Sequence, residues 1–178
     1  MVHVNIEFKA QCNDTEKIKK ILSSRNADYK GLDHQVDTYF KVKKGRLKLR
    51  EGEIERALIY YSRKDTKEPK QSDVTLFPVD LKSSILLKEI LTSSLDILVI
   101  VAKKRDIYFI DNIKIHIDTV DELGSFVEVE AIDIDGSIGI ANLQEQCRFF
   151  LELFDISEED LISLSYSDLL LIQKKKEE

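Results

Sequence analysis

Val2 to Ala10, with the sequence Val-His-Val-Asn-Ile-Glu-Phe-Lys-Ala, is the stretch from which the fold is best predicted. Its apolar and polar residues alternate strictly, and a period of two residues predicts a β-strand with one apolar and one polar face. The apolar face carries Val4, Ile6, Phe8 and Ala10, and the polar face carries His3, Asn5, Glu7 and Lys9. A single strand of this kind usually lies at a surface with its polar face in water.

Several later segments alternate in the same way, but their polar faces carry mostly one sign of charge. The charged rows are Arg46, Lys48 and Arg50; Lys103 and Arg105; Lys114, His116 and Asp118; Glu128 and Glu130; and a row that ends in Arg63. For any one row, cross-strand ion pairs on a wet surface explain the pattern well. For all rows together, the consistently apolar opposite faces favour strands that close into a barrel with a charged interior and helices outside.

The composition limits the class of protein. The chain has 178 residues, of which 43% are hydrophobic and 34% charged, and this predicts one soluble domain over residues 1–178. No apolar run approaches the ~18 residues of a membrane-spanning helix, and the first residues lack an export signal, so we expect a cytoplasmic protein without a membrane. A net charge of −6 argues against a general nucleic-acid binder. Two cysteines, Cys12 and Cys147, are expected to be reduced thiols.

The whole pattern predicts an α+β fold, an eight-stranded antiparallel β-barrel covered by α-helices. A helix capped at Asn13 and Asp14 is expected to run to about Arg25. The other strands are expected at 34–42, 46–50, 57–64, 73–79, 97–110, 113–120 and 126–132, with a mobile loop at 65–72. Further helices are expected at 83–95, at 138–154 and from a start signal at 157–160. In the helix at 83–95, the residues expected to face inward are Ile85, Leu86, Ile90 and Leu91.

Buried rows of like charge need opposite charges between them, because like charges repel strongly away from water. The protein's own carboxylates are one source of these charges, and a polyphosphate ligand is the other. Arg and Lys side chains from several strands offer many hydrogen-bond donors to phosphate oxygens. Converging carboxylates offer the hard oxygen ligands that Mg²⁺ or Mn²⁺ prefers.

These residues resemble the motifs of the CYTH family, the triphosphate tunnel metalloenzymes, which includes class IV adenylate cyclases and thiamine triphosphatases. The family's N-terminal Glu-x-Glu-x-Lys stands here as Asn5-Ile6-Glu7-Phe8-Lys9, so that Asn5 replaces the first acid. The other matching motifs are Lys48-Leu49-Arg50, Arg63 in place of a lysine, Lys103-Lys104-Arg105, Asp118 and Glu128-Val129-Glu130. The resemblance covers nearly the full length. The stretches 37–40 and 45–50 are most similar to the class IV cyclase branch.

The resemblance implies an eight-stranded tunnel, a triphosphate substrate such as ATP, and Mg²⁺ or Mn²⁺ as cofactor. It implies cyclisation of ATP to cyclic AMP and pyrophosphate. The implied triphosphate-binding residues are Lys9, Lys48, Arg50, Arg63, Lys103 and Arg105. Arg46 is a further candidate, which lies either at the tunnel mouth or in water. Among these, the implied catalytic residues are Lys9, Arg63, Lys103 and Arg105. The implied metal ligands are Glu7, Asp118, Glu128 and Glu130.

Other functions stay open from the residues alone. A triphosphatase needs the same clamp of cations as a cyclase, because both reactions develop charge on the phosphates. A module that binds polyphosphate or a nucleotide without turnover is a further possibility, given Asn5. A plain interaction scaffold is the third, with the apolar segment 169–172 packing against the barrel or a second subunit, which would make a homodimer.

Overall fold

The structure, a computed structural model, describes residues 2–63 and 70–177, and side chains over 4–62 and 72–176. The strands are β1 (Val2–Gln11), β2 (Asp28–Phe40), β3 (Arg46–Glu51), β4 (Ala57–Arg63), β5 (Lys70–Pro78), β6 (Ile97–Ile110), β7 (Ile113–Val120) and β8 (Gly124–Asp133). The helices are α1 (Thr15–Ser24), α2 (Leu81–Leu95), α3 (Ile140–Leu153) and α4 (Tyr166–Glu177).

The eight strands form one antiparallel sheet that closes into a ring. Their order around the ring is β1-β5-β4-β3-β2-β6-β7-β8. The first strand closes it, since β1 pairs with β5 along one edge and with β8 along the other. The predicted α+β fold with a closed, eight-stranded antiparallel sheet is therefore confirmed. Closure leaves each strand with one face inside the ring and one outside, so the alternating pattern of β1 divides its side chains between the two.

The main apolar core lies outside the ring, between three strands and two helices. The outward residues Ile6 and Phe8 of β1 pack with side chains of β7 and β8 under α1 and α3. From α3, Leu143 and Cys147 are fully buried in this core. Cys12 and Cys147 are both free thiols, as predicted. The helices α1 and α3 thus cover the apolar outer face of β1, β7 and β8, and the polar rows of these strands face inward.

A second apolar cluster closes one end of the interior. Val99 and Val101 on β6 have the same parity as Lys103 and therefore point into the ring. Tyr166 and Leu170 of α4 pack against them. Of the predicted packing segment 169–172, Leu169, Leu170 and Leu171 lie in this cluster, whereas Ile172 is exposed.

The helix start predicted at 157–160 is wrong. Ser157 and Asp160 do form a local cap, in which the Ser157 backbone N–H and Oγ donate to Asp160 Oδ2 at 3.1 and 2.6 Å. The chain then pairs with β1 instead of continuing as a helix: Leu161 forms a β-bridge with Ala10. Backbone hydrogen bonds to β1 therefore override the local signal, and α4 begins only at Tyr166.

The predicted inward face of α2 is also wrong. Ile85, Leu86 and Ile90 are 51%, 61% and 61% exposed, while Ser84 is buried. The helix contacts β2 and β3, and Lys88 forms an ion pair with Glu51 at 2.6 Å. A loop is predicted at 65–72. Residues 65–69 lie outside the described residues, and from Lys70 the chain forms strand β5. Among the described residues, no helix is long and apolar enough to cross a membrane.

We predict that Leu143→Ala lowers the free energy of unfolding by about 2–5 kcal/mol, because it leaves a cavity under α3. The measurement is urea unfolding followed by circular dichroism. Leu86→Ala in exposed α2 is the matched control and should change the stability by less than about 0.5 kcal/mol. Equal losses for the two variants would contradict the packing described for α3.

Candidate active site

A cavity of about 260 Å³ lies inside the ring, and all eight strands contribute to its wall. The charged rows point into it because every second side chain of a strand shares one face. The cations on the wall are Lys9, Lys48, Arg50, Lys103, Arg105 and Lys114. The carboxylates on the wall are Glu7, Asp37, Glu128 and Glu130. The interior therefore gathers charges from residues that are far apart in the chain.

Asp37 on β2 binds three of the cations at once. Lys48 Nζ and Lys103 Nζ donate to Asp37 Oδ2 at 2.8 and 2.7 Å. Arg50 donates through Nε to Oδ1 at 2.9 Å and through Nη2 to Oδ2 at 3.1 Å. Burial raises the pKa of Asp37, but the charges of Arg50, Lys103 and Lys48 outweigh burial and hold that pKa well below its usual range. Asp37 is thus an ionised counter-charge at the centre of the cation cluster.

The pKa of the Lys103 ammonium is unusually low. Burial lowers its pKa first, and although Asp37 raises it, the nearby charges of Arg50, Arg105 and Lys48 lower it further. The result is a pKa of about 7, against an ordinary value of 10.5. An added anion in the cavity would favour the charged ammonium.

Arg105 on β6 is held rigidly by its cross-strand partner Asp118 on β7. Nε and Nη2 of Arg105 donate to Oδ1 and Oδ2 of Asp118 at 2.7 and 2.5 Å, a bidentate pair. Tyr166 of α4 donates its hydroxyl to Asp118 Oδ2 at 2.8 Å. Nη2 of Arg105 also donates to Glu128 Oε2 at 2.8 Å. Asp118 therefore sits behind Arg105, fully buried, with both carboxylate oxygens engaged.

A carboxylate from the β3–β4 connection completes the cluster. Asp33 accepts three successive backbone N–H bonds from residues 53–55 at 2.7 to 3.0 Å, which fixes this turn. Glu55 then forms ion pairs with Lys114 and with Arg50 Nη1, the latter at 2.9 Å. Burial raises the pKa of Glu55, but Lys114 and Arg50 outweigh burial and lower that pKa well below its usual range.

Three further carboxylates line the cavity and are called here the acidic wall: Glu7 of β1 and Glu128 and Glu130 of β8. Lys9 lies among them, with Nζ at 3.2 Å from Glu128 Oε1. His116 of β7 lies beside this wall, with Nδ1 at 3.4 Å from Glu128 Oε2 and 3.6 Å from Glu130 Oε1. Burial lowers the pKa of His116, and Arg105 and Lys114 lower it further, so the imidazole is neutral at neutral pH. One ligand atom each from His116, Glu128 and Glu130 lies within 4.8 Å of the others.

These residues fit a divalent cation. Carboxylate oxygens and a neutral imidazole are ordinary ligands of such ions. The side-chain amide oxygen of Asn5, Oδ1, is buried next to Glu130 on the wall and has no hydrogen-bond partner among the described residues. A bound cation would satisfy this acceptor. Glu130, Glu128 and His116 are the residues that would hold it.

The structure brings most of the predicted site residues to the same cavity, and their roles stay predictions. The predicted phosphate-binding residues on the wall are Lys9, Lys48, Arg50, Lys103 and Arg105, and the predicted metal ligands on it are Glu7, Glu128 and Glu130. Arg46 is not on the wall and pairs with Asp168 of α4 at 2.7 Å. Asp118 is occupied by Arg105. The side chain of Arg63 lies outside the described residues.

Sequence reasoning assigned no role to Asp37, Glu55, Lys114 or Tyr166. Asp37 carried a usable signal, because the inward row of β2 reads Asp33, Gln35, Asp37 and Tyr39 with the same period of two. Lys114 stood in a recognised polar row. Glu55 and Tyr166 gave no periodic signal, since one lies in a turn and the other begins a helix far along the chain.

The sequence of residues 3–166 matches the model of the CYTH domain family. The chain belongs to the CYTH domain family. No curated protein matches it at a significant level. The predicted resemblance is confirmed at the level of the family, over nearly the whole chain.

Solved structures similar to this chain show the same fold. The PH1012 protein from Pyrococcus horikoshii has a TM-score of 0.75 at 24% identity, covering 93% of this chain and 98% of its own. A candidate adenylate cyclase from Vibrio parahaemolyticus has a TM-score of 0.71 at 19% identity, with coverages of 93% and 97%. A candidate adenylyl cyclase from Hippeastrum, described as having a dominant triphosphatase activity, has a TM-score of 0.62 at 12% identity, with coverages of 97% and 96%.

We predict that Asp37→Asn lowers the free energy of unfolding by about 3–5 kcal/mol, because it leaves Lys48, Arg50 and Lys103 without their shared anion. Inorganic triphosphate should restore much of this loss, since a bound polyanion replaces the missing charge. Thermal unfolding with and without inorganic triphosphate measures both effects. Asp121→Asn at an exposed position is the control. A neutral effect of Asp37→Asn would contradict the role of Asp37 as counter-charge.

The pKa of Lys103 predicts how stability depends on pH. Between about pH 7 and 10.5 the unfolded chain keeps the Lys103 proton and the folded chain does not, so the free energy of unfolding rises with pH across this window. The slope contributed by one such proton is at most about 1.4 kcal/mol per pH unit. Urea unfolding from pH 6 to 10 measures it. Lys103→Met should remove this component of the slope, and an unchanged slope would show that the lysine keeps an ordinary pKa.

Proposed function

We propose that the protein is a divalent-cation-dependent enzyme that binds an organic triphosphate inside the ring and converts ATP to cyclic AMP and pyrophosphate. The observation that carries the proposal is one cavity inside the ring that holds both a cation cluster around Asp37 and the carboxylates of the acidic wall. Phosphates need the first and a divalent cation needs the second. Membership of the CYTH domain family supports the same conclusion.

The cation cluster keeps donors for a ligand while Asp37 is bound. A lysine ammonium has three N–H donors, and Lys48 and Lys103 each donate one to Asp37. The buried surroundings strengthen every remaining charge–phosphate contact relative to water. Asp37 orients these side chains before the substrate arrives, and preorganised charges of this kind are the largest source of catalysis in many enzymes.

The rest of the cavity wall favours an organic group on the triphosphate. The residues Tyr39, Ile59, Tyr61, Val74 and Leu76 line the same cavity and form an apolar region next to Lys48. An inorganic polyphosphate has no use for such a surface, whereas a ribose and base bury apolar area and stack on aromatic rings. The apolar part of the wall therefore favours a nucleoside triphosphate over an inorganic one.

The chain's own residues would act on the departing group. When the ribose 3′-hydroxyl attacks the α-phosphorus, its proton is released to solvent, the bond to the bridging oxygen breaks, and pyrophosphate leaves with extra negative charge. Lys48, Arg50 and Lys103 would neutralise that charge, and Arg105, fixed by Asp118, would hold its position. A bound divalent cation would supply further charge neutralisation on the phosphates.

Hydrolysis of the triphosphate is the second candidate. A volume of about 260 Å³ lies just under the ~300–1,000 Å³ usual for pockets of drug-sized ligands. A short phosphate chain fills such a space more fully than a whole nucleotide does. The similar fold from Hippeastrum is described with a dominant triphosphatase activity, so this scaffold accommodates hydrolysis.

A cytoplasmic location and a homodimer stay predictions.

Incubation with ATP and Mn²⁺ is expected to yield cyclic AMP and pyrophosphate, because the cation cluster, together with a divalent cation held at the acidic wall, would stabilise a pyrophosphate leaving group. Chromatography with mass detection identifies the products. ADP and phosphate would instead establish the triphosphatase. If no product forms from ATP, other nucleoside triphosphates, thiamine triphosphate or inorganic triphosphate, the enzyme proposal fails.

A matched pair on β6 connects any activity to the cavity. Lys103→Met should weaken ATP binding about 10- to 100-fold, since it removes a charge-assisted contact of about 1.5–3 kcal/mol. Lys104→Met, on the exposed outer face of the same strand, should leave binding unchanged. Calorimetry measures both. Equal behaviour of the two variants would place the ATP site outside the ring.

A further inference from the structure

The proposed function requires a divalent cation but does not say which metal is bound, and His116 lies at the acidic wall where the cation would be held. Its ring is fully buried, and Nδ1 faces Glu128 Oε2 at 3.4 Å and Glu130 Oε1 at 3.6 Å. A neutral imidazole placed between two carboxylates offers a nitrogen ligand where the carboxylates offer oxygens. The ligand atoms of these three residues lie within 4.8 Å of one another.

A second observation on Asn5 points to a cation at the same place. Asn5 is 2% exposed and lines the cavity, and its Nδ2 donates to Glu130 Oε2 at 3.4 Å. Its Oδ1 has no hydrogen-bond partner among the described side chains and backbone groups. Leaving a buried acceptor unsatisfied costs about 1–3 kcal/mol. A cation at the wall would use this oxygen.

We propose that the divalent cation of this protein is bound through the imidazole of His116 together with Glu128, Glu130 and the amide oxygen of Asn5, and that the site therefore selects Mn²⁺ and Zn²⁺ over Mg²⁺. The inference rests on the proposed function in placing a cation beside the triphosphate, and it adds the identity of the ligands and the order of metal preference.

The preference arises from the kinds of ligand atom. Mg²⁺ strongly favours oxygen ligands and gives up its water reluctantly. Imidazole nitrogen suits Zn²⁺ and other first-row transition ions, and Mn²⁺ accepts it more readily than Mg²⁺ does while keeping carboxylate oxygens. Asn5 contributes a neutral oxygen, so the two glutamates alone bring negative charge. Because the ligand set carries less negative charge, it attracts Mg²⁺ less strongly. The nitrogen ligand therefore has a larger effect on which metal ion is bound.

The proton balance of the imidazole is compatible with this site. A neutral ring carries one proton, on either Nδ1 or Nε2. Nε2 has no hydrogen-bond partner among the described residues, so nothing there prevents it from carrying the proton. The Nδ1 lone pair then faces Glu128 and Glu130, and a cation between these atoms completes the contact.

The first test is isothermal titration of Mg²⁺, Mn²⁺ and Zn²⁺ into the wild type, His116→Asn and His34→Asn. Asparagine puts an amide oxygen near the position of Nδ1, so it exchanges a nitrogen ligand for an oxygen. The wild type should bind Mn²⁺ and Zn²⁺ at least 10-fold more tightly than Mg²⁺. His116→Asn should lose at least 10-fold for Zn²⁺ and change less than about threefold for Mg²⁺. His34 is exposed, and His34→Asn should behave as the wild type.

Asn5→Asp provides the complementary change, because it adds a negative charge without touching the imidazole. It should raise the affinity for Mg²⁺ and reduce the preference of the site for Mn²⁺ and Zn²⁺ over Mg²⁺. Equal affinity of the wild type for Mg²⁺ and Zn²⁺, or Zn²⁺ binding by folded His116→Asn at wild-type strength, overturns the proposal.

A measurement on the unaltered protein covers the case in which His116→Asn does not fold. The chain has three histidines, so their ring nitrogens can be assigned by NMR. One equivalent of Zn²⁺ should shift the Nδ1 signal of His116, and Mn²⁺ should broaden the same ring first. Shifts confined to the other two histidines overturn the proposal.

The outcome is separable from that of the proposed function. If the metal selectivity is found but no triphosphate is turned over, the proposed function fails and the ligand set stands. If ATP is turned over equally with Mg²⁺ and Mn²⁺, and His116→Asn binds both as the wild type does, the ligand set alone fails.

Discussion

The ion pairs that join Asp37 to Lys48, Arg50 and Lys103 are the interaction on which the charged interior depends. Moving charges out of water costs several kcal/mol per ion unless each finds a partner. Closure of the ring buries the inward rows of β3 and β6 together, and neither row contains an anion of its own. Asp37 arrives from β2, which pairs with both strands, and supplies the missing charge to both. Asp37 and Glu55 together bring two carboxylates to four cations, counting Lys114, so the cluster keeps a positive excess that favours anionic ligands.

Most of the fold was predictable because alternation can be read from a short segment, and it also indicates which face of each strand is apolar in the assembled sheet. Strict period-two patterns identified the strands, and the apolar outer faces required helices to cover them. The failures share a cause. The signal at 157–160 forms as a local cap, but pairing of Leu161 with Ala10 decides the path of the chain beyond it. The sequence of α2 contains an apolar stripe, yet the buried residue of this helix is Ser84. In both cases tertiary contacts outweigh local propensity.

The site was predictable as a set of residues but not as a set of pairs. Alternation says that Lys48, Arg50, Lys103 and Arg105 face inward, and it cannot say which acid meets which base. The partner of Arg105 is its cross-strand neighbour Asp118, and register is a property of the assembled sheet. Tyr166 reaches Asp118 across 48 residues of sequence, and Glu55 is aimed by the Asp33-bound turn. Contacts of this kind leave no periodic trace in a single sequence.

Glu128 links the two halves of the interior and makes their occupancies interdependent. Its Oε2 accepts from Arg105 at 2.8 Å and faces His116 Nδ1 at 3.4 Å, while its Oε1 lies 3.2 Å from Lys9 Nζ. A cation that takes an oxygen of Glu128 competes with these contacts and frees N–H donors of Arg105 or Lys9. Freed donors are available to phosphate oxygens. Since coupling between two binding equilibria is reciprocal, a phosphate that engages Arg105 or Lys9 must in turn favour a cation at Glu128. In the proposed function, this one carboxylate would therefore couple binding of a metal to binding of a triphosphate.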